Sequence, residues 1–144
     1  MEQLQDFGPS SVSAGGAALL RLILAGFWMA HWWFKVGYRG MPATEAFFSQ
    51  QGLPAWLAWF VVAFEVVLAV CLIWGVYVSI LCLISLPILF ASMWIYRKNG
   101  FYFSSGGIEL PLLWACAQIV QALLGAGAFR IPFPAWLAWL PTLF

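Results

Sequence analysis

The chain has 144 residues, a net charge of +1, 65% hydrophobic and only 8% charged side chains, and a mean hydropathy of +0.95. A soluble domain is near half apolar and a quarter charged, so this composition excludes a water-soluble globule. The near-neutral balance leaves no electrostatic footprint for nucleic acid or for a strongly acidic partner.

Residues 1–13 carry Glu2 and Asp6 but no Lys or Arg. A secretory signal opens with a positive region, so this tail is expected to stay attached. Its Gly8-Pro9-Ser10-Ser11 stretch reads as flexible. Crossing the hydrocarbon takes roughly 20 apolar residues, and four segments qualify, at about 14–37, 54–74, 76–96 and 108–125. They leave no room for an extramembrane domain. The expected fold is one all-α domain, a polytopic membrane four-helix bundle, followed by an interfacial segment at 129–144 broken by Pro132, Pro134 and Pro141.

The first connection, 38–53, is the longest, and Thr44 and Glu45 before the pair Phe47-Phe48 predict a short interfacial helix there. The second, at Gly75, is so short that it predicts a tight hairpin of the flanking helices. The third, 97–107, is polar, aromatic and glycine-rich. Pro54-Ala55-Trp56-Leu57-Ala58-Trp59 recurs as Pro134-Ala135-Trp136-Leu137-Ala138-Trp139. Proline in a first helical turn and tryptophan at interface depth account for both copies without a domain repeat. Lys35, Arg39, Arg97 and Lys98 flank the first and third connections, so the positive-inside rule places those loops in the cytoplasm and both termini outside.

Cys71, Cys82 and Cys116 fall in three different predicted helices, which removes dithiol chemistry and leaves them as small core residues. A single histidine cannot supply bis-His haem ligation, three cysteines cannot hold a four-cysteine cluster, and no metal site is expected.

Glu65 stands alone as a charge within the apolar run 53–78. A carboxylate at bilayer depth costs at least about 2.5–3.5 kcal/mol, so it calls for an interior partner, a cavity or a proton. On helix one, Arg21, His31 and Lys35 fall within about an 80° sector at 100° per residue. Ala58, Val62, Glu65 and Ala69 share a stripe of helix two, and Cys82, Ser85, Ser92 and Tyr96 share one of helix three, where Pro87 predicts a kink. His31, Lys35, Tyr96, Arg97, Asn99 and Glu109 are expected to gather with Arg39 at one membrane face as ligand or proton-relay groups, with Glu65 about 16 Å below it at 1.5 Å per residue. Plainer roles compete: headgroup snorkelling for Lys35, helix capping for Glu109, an interface position for His31, and a structural bond from Glu65 to Arg21, His31 or a serine. Gln118, Gln121 and Gly125 lie on another face of helix four from Glu109 and predict contact with another membrane subunit or a second copy.

These residues resemble the DoxX-like family of small four-helix membrane proteins. The resemblance runs from Arg21-Leu22 through Gly26, His31 and Lys35, then Gly52-Leu53-Pro54 and Phe64-Glu65. Its most specific part is Asn99-Gly100-Phe101 followed by Gly106-Gly107-Ile108-Glu109-Leu110-Pro111-Leu112-Leu113, and Gly125-Ala126-Gly127 also fits. Trp32-Trp33 stands where a small residue is usual after the histidine, and the proline-tryptophan C-terminus is unusual. The family is named for a small subunit of a quinol oxidase/thiosulfate–quinone oxidoreductase system. The resemblance implies a subunit of the bacterial inner membrane serving quinone-linked redox chemistry, with quinone as a non-covalent cofactor and other membrane subunits as partners. The chain has no catalytic motif or redox centre of its own. Two rival readings are a non-catalytic assembly subunit and a small transporter using Glu65.

Overall fold

The computed structural model describes residues 9–128; residues 1–8 and the segment 129–144, with its second Pro-Ala-Trp copy, lie outside the described residues. Helix α1 spans Pro9–Trp33 and runs on as a π-helical turn, Phe34–Tyr38. Residues 9–13 are therefore helical, which corrects the flexible tail expected there. The short interfacial helix is present as α2, Met41–Gln50, and α3, α4 and α5 follow at Trp56–Trp74, Val78–Tyr96 and Glu109–Leu124. Among the described residues there is no strand.

Around the bundle, α1 packs mainly on α3 and α4 mainly on α5, while lesser α1–α5 and α3–α4 contacts close the ring. The turn at 75–77 is short, with Gly75 and Tyr77 both left-handed (φ 76° and 48°). Yet α3 and α4 touch each other sparsely, so the expected hairpin holds for connection and not for packing. Small side chains decide the close pairs, since lipid offers no hydrophobic drive between helices. Ala17, Ala18 and Ala25 of α1 and Ala58 and Ala69 of α3 are all buried.

Three helical stretches are long and apolar enough to cross a membrane: Ser11–Tyr38, Trp56–Trp74 and Val78–Asn99. Helix α5 is apolar but has 16 residues. That is about 24 Å, short of a typical hydrocarbon core. The outer surface is apolar, with Trp94 67% and Leu123 83% exposed, whereas Arg21, Glu65, Ser85, Gln118 and Gln121 are buried. This arrangement suits lipid as the surrounding solvent. After α5 the chain folds back on α1: Ala128 N donates to Ala14 O (2.9 Å), and Arg21 Nη1 donates to Ala126 O (2.9 Å). Gly127 makes the approach possible, because a Cβ there would sit 2.5 Å from Ala14 O.

Candidate functional site

Glu65 has an interior partner, and it is Lys35. The Lys35 ammonium donates to Glu65 Oε1 in an ion pair whose carboxylate is only 1% exposed. The pair brings the Lys35 charge inward from the membrane face at which it was expected. Helical side chains lean toward the N-terminus, and the four-carbon stem carries the charge inward. The π-turn that bears Lys35 is held from outside: buried Thr44 of α2 donates to Lys35 O (3.0 Å), and Arg39 sits over the rings of Phe34 (5.6 Å) and Phe47 (5.4 Å). Glu45 accepts a hydrogen bond from the Trp59 indole, tying α2 to α3.

Beside this pair, α1 and α5 meet in an aromatic seam. Trp114 stands 4.5 Å from Trp28, 4.6 Å from His31 and 5.9 Å from Phe27, centroid to centroid. His31 and Phe27 form the exposed outer edge, and Trp28 is buried behind them. Trp28 lies seven residues from both Arg21 and Lys35, on one stripe of the helix. Tryptophan in an apolar helix reads as an interface residue, so sequence reasoning missed it; that spacing was the available signal.

The seam and the Arg21–Ala126 bond set α1 and α5 antiparallel. Gln118 then lies about 6 Å and Gln121 about 10 Å deeper than Trp114 along α5. Both glutamines are 0% exposed, which corrects the outward, partner-facing placement expected for them. They do lie on a different face from Glu109, but theirs is the core face. Glu109 sits in the first turn and is free to serve the preceding loop. Gly125, the third member of that stripe, accepts from Gln121 Nε2 through its carbonyl (2.7 Å).

Buried polar atoms without a hydrogen-bond partner among the described residues include Glu65 Oε2, Trp28 Nε1, Trp114 Nε1, Gln118 Nε2 and Oε1, and Gln121 Oε1. Each unmet group costs about 1–3 kcal/mol. Groups of this kind are ordinarily hydrogen-bonded in a folded interior, which makes these the chemically open positions of the bundle.

The remaining expected site residues do not join it. Arg97 lies over the Trp94 ring, 3.2 Å from its centroid, and donates to Trp94 O (3.1 Å). Asn99 Nδ2 donates to Gly106 O (3.1 Å), and Phe103 N donates to Glu109 Oε2 (2.8 Å). Gly107 crosses the backbone so closely that a Cβ would meet Gly100 O at 2.4 Å. These residues build the α4–α5 loop, and Tyr96 is exposed beside it.

The DoxX family model matches residues 16–98, more than half of the chain. The chain belongs to the DoxX family. In this DoxX protein the match carries His31, Lys35 and Glu65, while the α5 residues Trp114, Gln118 and Gln121 lie beyond it, as does the glycine-rich loop. No curated protein and no solved structure matches the chain. Family and apolar helices together make it an integral membrane protein.

Proposed function

We propose that this DoxX protein is a membrane subunit that holds the head group of a quinone at the α1–α5 seam for an electron-carrying partner. One observation supports the reading above all: two unpartnered indole donors, Trp28 Nε1 and Trp114 Nε1, stand behind an aromatic edge open to the lipid side. A quinone reaches proteins from the membrane, presents a flat ring to aromatic side chains, and offers carbonyl oxygens that only accept hydrogen bonds. It supplies reversible two-electron, two-proton chemistry when bound. The chain's own residues would orient the carbonyls through Trp28 and Trp114, close the rim with His31, and set the local charge through Lys35 and Glu65. Electrons would come from a partner, since the sequence holds no cluster or bis-His haem ligand set of its own.

Tyr96, Arg97, Asn99 and Glu109 have no part in this reading. Gln118 and Gln121 face the core, which removes one of the features that favoured a purely structural subunit, and the Lys35 partner of Glu65 weighs against a free proton-coupled carboxylate. We place the π-turn and the α4–α5 loop in the cytoplasm of a bacterial cell, on the strength of exposed Arg39 and Lys98.

Titration of the detergent-solubilised chain with a short-chain benzoquinone tests the reading, because quinones quench tryptophan fluorescence. Saturable quenching is expected, and Trp28→Phe should weaken affinity roughly five- to tenfold, the worth of one hydrogen bond. Linear, unsaturable quenching, or the same affinity in both proteins, refutes it. A stable complex with other membrane subunits but without quinone affinity would leave the assembly role.

A further inference from the structure

We infer that the α1–α5 seam prefers the reduced, hydroquinone form of its ligand, and that His31 Nε2 is the atom that makes the choice. The inference rests on the quinone reading and says which redox form the same site favours. His31 Nδ1 lies 3.2 Å from Phe27 O, one turn back on α1. A carbonyl oxygen can only accept, so Nδ1 carries the hydrogen and donates it. In the neutral ring that leaves Nε2 as a bare acceptor. The helix backbone, and not the ligand, therefore sets the tautomer. His31 makes no other hydrogen bond among the described residues, and its ring is exposed on the outer edge of the seam.

Beside that acceptor the seam supplies donors. The His31 ring stands 4.6 Å from Trp114, and Trp114 stands 4.5 Å from Trp28, centroid to centroid. Both indole Nε1 groups are donors without a partner among the described residues. A quinone oxygen only accepts: it can use an indole N–H, but it meets Nε2 lone pair against lone pair. A hydroquinone hydroxyl accepts from an indole and donates to Nε2 at once. One such added hydrogen bond is worth about fivefold to tenfold in affinity. Tenfold tighter binding of the reduced form raises the two-electron potential of the bound couple by about 30 mV. The seam would thus make the quinone that it holds easier to reduce by the electron-carrying partner.

The chain has a single histidine, so 15N-histidine labelling reports on His31 alone. At pH 8 in detergent micelles, a protonated Nδ1 and an unprotonated Nε2 are expected. The Nε2 signal should shift when a short-chain benzohydroquinone is added under argon, and should stay in place with the matching benzoquinone. Affinities follow from quenching by the benzoquinone and its displacement by the hydroquinone. The wild type should bind the hydroquinone five- to tenfold more tightly, and so should the lipid-facing Ile119→Ala. His31→Phe keeps an aromatic ring but offers no acceptor, and should bring the ratio near one. If that variant fails to fold, the wild-type ring signals decide alone. A protonated Nε2 in the free protein, equal affinities in the wild type, or a preference that survives His31→Phe overturns the inference. Saturable benzoquinone quenching with equal affinities would overturn it and leave the quinone reading standing. No saturable quenching and no Nε2 shift would defeat both.

Discussion

Lys35 and Glu65 are each other's reason for being inside the bundle. Removing one partner of a buried pair costs more than removing both, because the survivor is left charged and unmet. Glu65→Leu should therefore destabilise the bundle by about 1–3 kcal/mol, since Lys35 retains 20% exposure and has some access to water. Glu65→Gln keeps an acceptor for the ammonium and should be nearly silent. Adding Lys35→Met to Glu65→Leu should restore most of the loss. Unfolding in mixed detergent micelles measures all four proteins, and a double variant as unstable as the sum of the singles would show that the pair is not coupled. A lone carboxylate in an apolar run told us that a partner had to exist. Which of Arg21, His31, Lys35 or a serine it was depended on side-chain reach across two helices, which no single-helix wheel contains.

The α4–α5 loop and the chain reversal after α5 each combine a glycine at a close backbone approach with a polar side chain that bonds the backbone. Glu109→Ala leaves Phe103 N without its acceptor and should loosen the loop by roughly 0.5–1.5 kcal/mol. Faster trypsin cleavage after Arg97 and Lys98, with the melting temperature little changed, would report that local opening. A uniform loss of stability instead would place Glu109 in the global fold. Gly127→Ala brings a Cβ within 2.5 Å of Ala14 O at a φ of +69°. The left-handed backbone alone costs about 1–2 kcal/mol for a non-glycine residue, so a lower melting temperature is expected. An unchanged one would mean that the reversal is not docked on α1. The Asn99–Gly100 and Gly106–Gly107 steps could be quoted from the chain, but their purpose could not. Gly107 is required by a backbone crossing between residues seven apart, and that crossing is tertiary.

Across the described residues, many large apolar side chains face outward while Arg21, Glu65, Gln118 and Gln121 are buried. Orientation then rests on fewer cations than the sequence count suggests, because Lys35 is engaged internally and Arg97 is stacked on Trp94. With Arg39 and Lys98 still exposed at that end, a cysteine at Ser104, in a variant lacking Cys71, Cys82 and Cys116, should be labelled only from the cytoplasmic side. Labelling from outside would invert the topology and assign these cations to another task. The 16 residues of α5 also call for a locally thinned bilayer or a tilted neighbourhood, since about 24 Å falls short of the hydrocarbon depth.

Composition and hydropathy by themselves determined an all-helical membrane chain, and helix limits at 54–74, 76–96 and 108–125 came within about two residues of those observed. Apolar length is a property of the chain alone, which is why it could be read directly. The face of α5 that turns inward was not readable. Periodicity tells which residues share a stripe, but a helix in lipid has no polarity contrast to say which stripe is core. Only packing of α5 against α4 and α1 put Gln118 and Gln121 inside. The same packing moved the site from a ring of surface charges to a buried pair, two indoles and two amides.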